Sequence, residues 1–83
     1  MYYVYLLKNE KGTKYIGYTS NLKRRLDEHN QGINESTKGH KWMLVYYEAF
    51  RAERDARKRE KNLKQSGQGR RWLYERVSES LCV

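Results

Sequence analysis

Two aromatic and branched runs separated by a turn constrain this chain more than any other feature. Tyr3-Val4-Tyr5-Leu6-Leu7 has the residue types of a strand, Asn9-Glu10-Lys11-Gly12 is a hairpin loop closing on glycine, and Lys14-Tyr15-Ile16-Gly17-Tyr18 makes the return strand. Thr19-Ser20-Asn21 then offers three helix-capping candidates in a row, and the helix that follows carries Leu22, Leu26 and Ile33 on one stripe and is predicted to end near Gly32. Residues 34–41 read as a polar loop, and Trp42 to Glu48 as a third strand. Residues 51–65 contain no Gly or Pro and read as a second helix stopped by Ser66-Gly67, with a last short helix over Arg70 to Val77 presenting Trp72, Leu73 and Val77. The order is strand, strand, helix, strand, helix, helix. It predicts an α/β fold of the mixed α+β kind, a small three-stranded antiparallel sheet flanked by helices, in a single domain over residues 1–83.

A chain of 83 residues buries one modest core and no deep interior pocket. Its 8 Tyr, 2 Trp and 1 Phe argue against disorder, where aromatics are scarce. No apolar run approaches the roughly 18 residues of a membrane span, and the first eight residues lack the basic start and long apolar stretch of a signal peptide. One cysteine, Cys82, excludes a disulfide framework and a cysteine zinc site, and two histidines, His29 and His40, exclude a His-rich metal cluster. The expectation is a small basic protein of the cytoplasm. Its formal charge is +8, and residues 51–76 hold 10 of the 18 Lys and Arg. Such a patch concentrates polyanions, of which nucleic acid is the abundant cytoplasmic one. A solvated helix laced with salt bridges reads the same way by charge alone. A membrane-surface helix fits less well, because the apolar face available is mostly Ala.

Several side chains sit where packing alone would not place them. On the first helix, with Leu22 at the origin and about 100° per residue, Arg24 falls near about 200°, toward solvent. Arg25 falls on the shoulder of the apolar stripe, and His29 within it. On the second helix Ala52, Ala56 and Leu63 make a thin stripe, with Glu60 and Arg59 both close enough to its edge that periodicity does not choose between them. A Glu–Lys or Glu–Arg pair within the helix would also account for Glu60. In the hairpin, an even-sum register, Leu7 opposite Tyr15, puts Tyr5 and Tyr15 on one face as diagonal neighbours, and an odd one puts them on opposite faces. Gly17 removes a side chain beside Tyr15, leaving room for a phosphate or another backbone.

Together, Tyr3-Val4-Tyr5, Tyr15-Ile16-Gly17, Asn21-Leu22-Lys23-Arg24-Arg25-Leu26 and Ala56-Arg57-Lys58-Arg59-Glu60-Lys61-Asn62-Leu63-Lys64 resemble the GIY-YIG nuclease domain. That domain is carried by the excinuclease C subunit, several homing endonucleases and some restriction enzymes. The resemblance spans roughly residues 2–66 and is nearest to small stand-alone bacterial members, whose features include Glu28-His29-Asn30 and Val45-Tyr46-Tyr47-Glu48. It implies a metal-dependent DNA endonuclease linked to DNA repair, with Tyr5, Tyr15, Arg25 and Glu60 catalytic. Glu60 would hold a divalent cation, Mg²⁺ with Mn²⁺ as a substitute, since oxygen ligation with retained waters suits that ion. Arg25 would offset charge developing on the phosphate. One tyrosine would deprotonate or orient the attacking water, with Tyr5 taken as the base and Tyr15 as its partner. Gly17 would leave room for the phosphate, and His29 would contact the phosphate or support those that do, or else be a packed core histidine. Arg51, Arg54, Arg57, Lys58, Lys61, Lys64, Arg70 and Arg71 would supply contacts to the nucleic-acid backbone, which position it without reading sequence.

Three departures bear on this reading. Tyr3 stands where the family name expects Gly, and Gln65-Ser66-Gly67-Gln68 offers no clear counterpart to the Asn of larger members. No separate DNA-binding domain is present, so specificity would come from a protein partner. The rival reading is a nucleic-acid-binding module that uses the same basic face and turns over negligibly, although a pure binder has no need of Glu60 in a cationic patch. An RNA-binding sheet with stacking tyrosines ranks last, because the usual aromatic-glycine run is absent.

Overall fold

The computed structural model describes residues 1–83. Strands β1 (Tyr2–Asn9) and β2 (Lys14–Thr19) form the hairpin, and β3 (Trp42–Phe50) pairs on the other side of β1, giving an antiparallel sheet in the order β2-β1-β3. Helix α1 (Leu22–Asn30) lies between β2 and β3 in sequence, and α2 (Glu53–Gln65), α3 (Gly67–Arg76) and α4 (Ser78–Cys82) follow β3. This is the expected α+β architecture with one addition. At five residues, α4 is too short for its periodicity to be read from sequence.

Local chemistry explains the joints. The Asn9 side chain accepts hydrogen bonds from the backbone N–H groups of Lys11 and Thr13, both at 2.9 Å, and Gly12 takes a positive φ to close the hairpin. Of the three capping candidates before α1, Asn21 is the one used, its side chain accepting from the Arg24 N–H. At the other end Ile33 N–H bonds to the Glu28 carbonyl and Gly32 N–H to that of His29, which is a Schellman closure with Gly32 at positive φ. That closure corrects the sequence stripe. Ile33 lies beyond the helix and is 65% exposed, so α1 packs through Leu22, Leu26 and the buried His29. Ala52, expected on the stripe of α2, is instead that helix's exposed N-cap. Ser66 alone joins α2 to α3, and its hydroxyl accepts from Gly69 N–H.

The sheet is covered on both faces, which is why Val4-Tyr5-Leu6-Leu7 is buried without a polar break. Val4, Leu6 and Ile16 face α2 and α3 and pack with Ala56, Leu63, Leu73 and Val77. Tyr5, Leu7 and Trp42 face α1 with Leu22, Leu26 and Leu44. A β-bulge lets β3 serve both layers. Leu6 pairs with Tyr46 and Leu7 with Leu44, so Val45 is the extra residue and strand parity reverses across it. Trp42 and Leu44 therefore face α1, while Tyr46 and Phe50 pack toward α2 and α3. Glu48 follows the same parity and receives Arg59 of α2 in a two-pronged pair at 2.8–3.1 Å. That pair turns Arg59 toward β3 and leaves Glu60, the next residue, on the other flank of α2.

Candidate active site

The hairpin adopts the even register, with Leu7 opposite Tyr15 and Tyr5 opposite Gly17. Tyr5 and Tyr15 consequently lie on the α1 face, their ring centroids 6.4 Å apart. The Tyr5 ring leans across β2 over Gly17. A Cβ built at Gly17 would stand 2.3 Å from the Tyr5 hydroxyl and 2.4 Å from Cζ. This changes the reading of Gly17: the space above it is filled by a phenol and is not open to a phosphate.

His29, on the last turn of α1, is fully buried and sits edge-on to both tyrosines. Its Nε2 is 2.7 Å from the Tyr5 hydroxyl and its Nδ1 is 2.7 Å from Oγ1 of Thr37. The direction of these bonds follows from the outer partners. Thr37 Oγ1 lies 3.4 Å from the Asn34 carbonyl, to which it can only donate, so it accepts from His29 Nδ1–H. Nε2 then carries the lone pair and accepts the Tyr5 proton. Arg25 lines the same small cavity as Tyr5, and its positive charge acts on the phenol. Burial pushes the Tyr5 phenol up to about 12, against the lowering by Arg25. Burial, then the positive charge of Arg25, holds His29 below its usual range, so the imidazole is neutral at pH 7. The phosphate-contacting option for His29 is thereby closed: it is a buried group that grips Tyr5.

A pH dependence of stability follows. Because His29 binds its proton less readily folded than unfolded, stability rises with pH and is lost as pH falls below the ordinary histidine value of about 6.5. Urea midpoints measured from pH 7.5 down to 5.5 should fall, and His29→Gln should flatten that part of the profile.

Arg25 is partly buried, with Nη1 3.0 Å from Glu28, whereas Arg24 is 64% exposed and only 3.8 Å from the same carboxylate. The two adjacent arginines thus occupy the positions their helical angles indicate. Glu60 approaches from α2. Its side chain is 22% exposed and pairs with Lys64 Nζ at 3.1 Å, one turn on, so the intrahelical pair foreseen from spacing is present. Lys64 Nζ also lies 5.5 Å from the centre of the Tyr15 ring. The Glu60 charge reaches Tyr5 and raises its pKa further. Side chains from β1, β2, α1 and α2 therefore meet at the β2 edge of the sheet.

The basic residues divide into two groups. Arg57 pairs with Glu53 and stacks over Tyr18 at 4.4 Å, and Arg70 donates to the Leu63 and Lys64 carbonyls that end α2. These two and Lys64 are engaged within the fold. Arg51, Arg54, Lys58, Lys61 and Arg71 are exposed and form no ion pair.

Sequence reasoning missed Thr37, Glu28 and the Glu48–Arg59 pair. Glu28 was legible, since it stands three and four residues after Arg25 and Arg24 on one helix. Thr37 was not, because a loop residue carries no periodicity. Asn30 was likewise quoted without a role; its amide brackets Trp42, donating to the carbonyl and accepting from the N–H, and so ties the end of α1 to β3.

Known proteins resemble this chain in sequence and fold. Over 79 residues the chain is 37% identical to the UPF0213 protein SAG0778 of Streptococcus agalactiae, a match covering 87% of this chain and 84% of that protein. Over 66 residues it is 41% identical to the UPF0213 protein CPE1444 of Clostridium perfringens, covering 77% of this chain and 71% of that one. The solution NMR structure of the UPF0213 protein BH0048 from Bacillus halodurans is similar with a TM-score of 0.58 at 32% identity, over 90% of this chain and 84% of that one. The family description "GIY-YIG catalytic domain" matches residues 1–73, which takes in every element that contributes to the site. This chain belongs to the GIY-YIG catalytic domain family.

Proposed function

We propose that this protein is a metal-dependent DNA endonuclease that hydrolyses a phosphodiester with an activated water, and that it acts on DNA structures arising in repair. The observation that carries the reading is the meeting of Tyr5, Tyr15, Arg25 and His29 on one face of the sheet, bordered by the Glu60–Lys64 pair of α2, whose Lys64 reaches the Tyr15 ring. No group of three His, Cys, Asp or Glu side chains converges in the fold, and the carboxylate bordering this face is that of Glu60. One carboxylate with several retained waters and substrate phosphate oxygens suits Mg²⁺, with Mn²⁺ able to replace it, and does not suit a dedicated protein cage. Glu60 would hold the ion once Lys64 swings to the substrate phosphate. When bound, the ion polarises the scissile phosphate and stabilises the leaving oxygen.

The chain's own residues handle the proton. A phenol near pKa 12 is a poor reservoir of phenolate at neutral pH, and neutral His29 answers this. The attacking water gives a proton to the Tyr5 oxygen as Tyr5 passes its own to His29 Nε2. Nδ1–H stays on Thr37, and the resulting hydroxide attacks phosphorus. Tyr15 borders the same space and orients the water. Arg25, planar and permanently charged, stabilises charge gathering on the phosphate oxygens. The exposed cations Arg51, Arg54, Lys58, Lys61 and Arg71 hold the DNA backbone, and a protein partner supplies specificity. Labelled single-stranded, duplex, flapped and branched DNA incubated with the protein tests the reading. Cleavage of at least one substrate with Mg²⁺, and none with EDTA, is expected. Binding without cleavage in either Mg²⁺ or Mn²⁺ would favour a binding module on the same scaffold.

A further inference from the structure

The two tryptophans have opposite environments. Trp42 is 7% exposed in the core, while Trp72 on α3 is 64% exposed. Its neighbour Leu73 occupies the core-facing position of α3 at 3% exposure, which turns Trp72 about 100° away. Trp72 lines a cleft of about 380 Å³ between α2 and α3, together with Asn62, Gln68, Arg59 and Arg76. Arg76 is one turn beyond Trp72, exposed, and in no ion pair. An indole left in water beside a free guanidinium and two primary amides is the chemistry that takes a nucleotide base on its face and a phosphate beside it.

The position of the cleft gives it meaning. Arg59 and Glu60 are consecutive, yet Arg59 turns to Glu48 on β3 while Glu60 pairs with Lys64, which lies over Tyr15 on β2. The cleft and the candidate active site therefore lie on the two flanks of one helix. Between them the solvent face of α2 carries Arg54, Lys58 and Lys61, beside the Glu53–Arg57 pair, around a shallow groove. A helix with its side chains is about 10–12 Å across, a distance that a few nucleotides of an unpaired strand can cross.

We propose that a single-stranded DNA segment leaving the active site crosses α2 on this basic face and stacks a base on Trp72, with Arg76 on the adjoining phosphate. The proposal rests on the reading of the protein as acting on DNA, and it makes flapped or overhanging DNA the favoured substrate class.

Binding measured in EDTA, where no cleavage step enters, separates the two ideas. Wild type, Trp72→Ala and Trp72→Phe, each shown to be folded by circular dichroism, are titrated with labelled dT8 and with a blunt eight-base-pair duplex. The expected result is quenching of tryptophan fluorescence by dT8 in wild type and roughly tenfold weaker dT8 binding by Trp72→Ala. Trp72→Phe should retain most of the affinity, and duplex binding should be unchanged in both variants. Wild-type dT8 affinity in Trp72→Ala overturns the stacking site while leaving the nuclease reading intact. Equal loss for dT8 and duplex also overturns it, since a stacking platform acts on unpaired bases. Failure of wild type to bind either DNA removes both readings. A dimer in solution that Trp72→Ala dissociates would assign the face to a second copy of the chain and overturn the proposal.

Discussion

Gly17→Ala is expected to destabilise the protein by about 1–3 kcal/mol and to remove activity along with that stability. Gly17 has no positive φ to require glycine, so the backbone would accept alanine. The obstacle is the Tyr5 ring, whose hydroxyl and Cζ lie 2.3 and 2.4 Å from the new methyl position. That ring is the rigid end of a buried side chain, fixed by His29 at 2.7 Å and flanked by Tyr15, so it cannot yield a full ångström without breaking the hydrogen bond. Chemical denaturation and thermal melting measure the loss, which at this chain length corresponds to several degrees in melting temperature. The control is the double variant. In a Tyr5→Ala background the methyl meets no ring, so adding Gly17→Ala should cost little beyond Tyr5→Ala alone. Wild-type stability of the single variant would show that the phenol does not occupy that space.

Arg25→Ala should lower the single-turnover cleavage rate by about 10²–10³-fold, the usual effect of removing one donor aimed at developing negative charge. Arg25→Lys should recover only part of this, because an ammonium restores the charge without the planar fork. Stability should change far less, since Glu28 keeps Arg24 nearby. A second signature separates catalysis from simple loss of an ion pair. Arg25 lowers the pKa of both His29 and Tyr5, so its removal lets both rise. The acid limb of the pH–rate profile should therefore move to higher pH in Arg25→Ala. Cleavage within a few-fold of wild type, with an unmoved profile, would reduce Arg25 to a partner of Glu28.

Much of the fold was legible because the sheet's signals are local. The hairpin shows its turn glycine and its branched residues, and the long uninterrupted helix shows its ends. What sequence could not supply were the decisions taken in three dimensions. The register of β1 against β2 was two-valued until both faces were packed. The bulge at Val45 reverses the parity of β3, so alternation read straight through the strand misassigns half of it. On α2, periodicity left Arg59 and Glu60 equivalent, and Glu48 on a distant strand settles which one turns toward the site. The site followed the same rule. Tyr5, Tyr15, Arg25 and Glu60 were readable through a motif, but the grip of His29 and Thr37 on the Tyr5 proton depends on a loop that no periodicity announces. Gly17 was marked correctly as a missing side chain and given the wrong occupant, because sequence shows a vacancy without showing which neighbour fills it.

The most direct test of the proposed hydrolysis compares wild type with Glu60→Gln on the flapped or branched DNA that wild type cuts best. Gln keeps the size of Glu60 and removes the charge that would hold the cation, and the Lys64 pair it breaks is a partly exposed one. Both proteins are to be shown folded by matching melting curves. The account predicts Mg²⁺-dependent cleavage by wild type, abolished by EDTA, and no cleavage above background by Glu60→Gln even though it binds the same DNA. Undiminished cleavage by Glu60→Gln, or cleavage by wild type that EDTA leaves untouched, would contradict it.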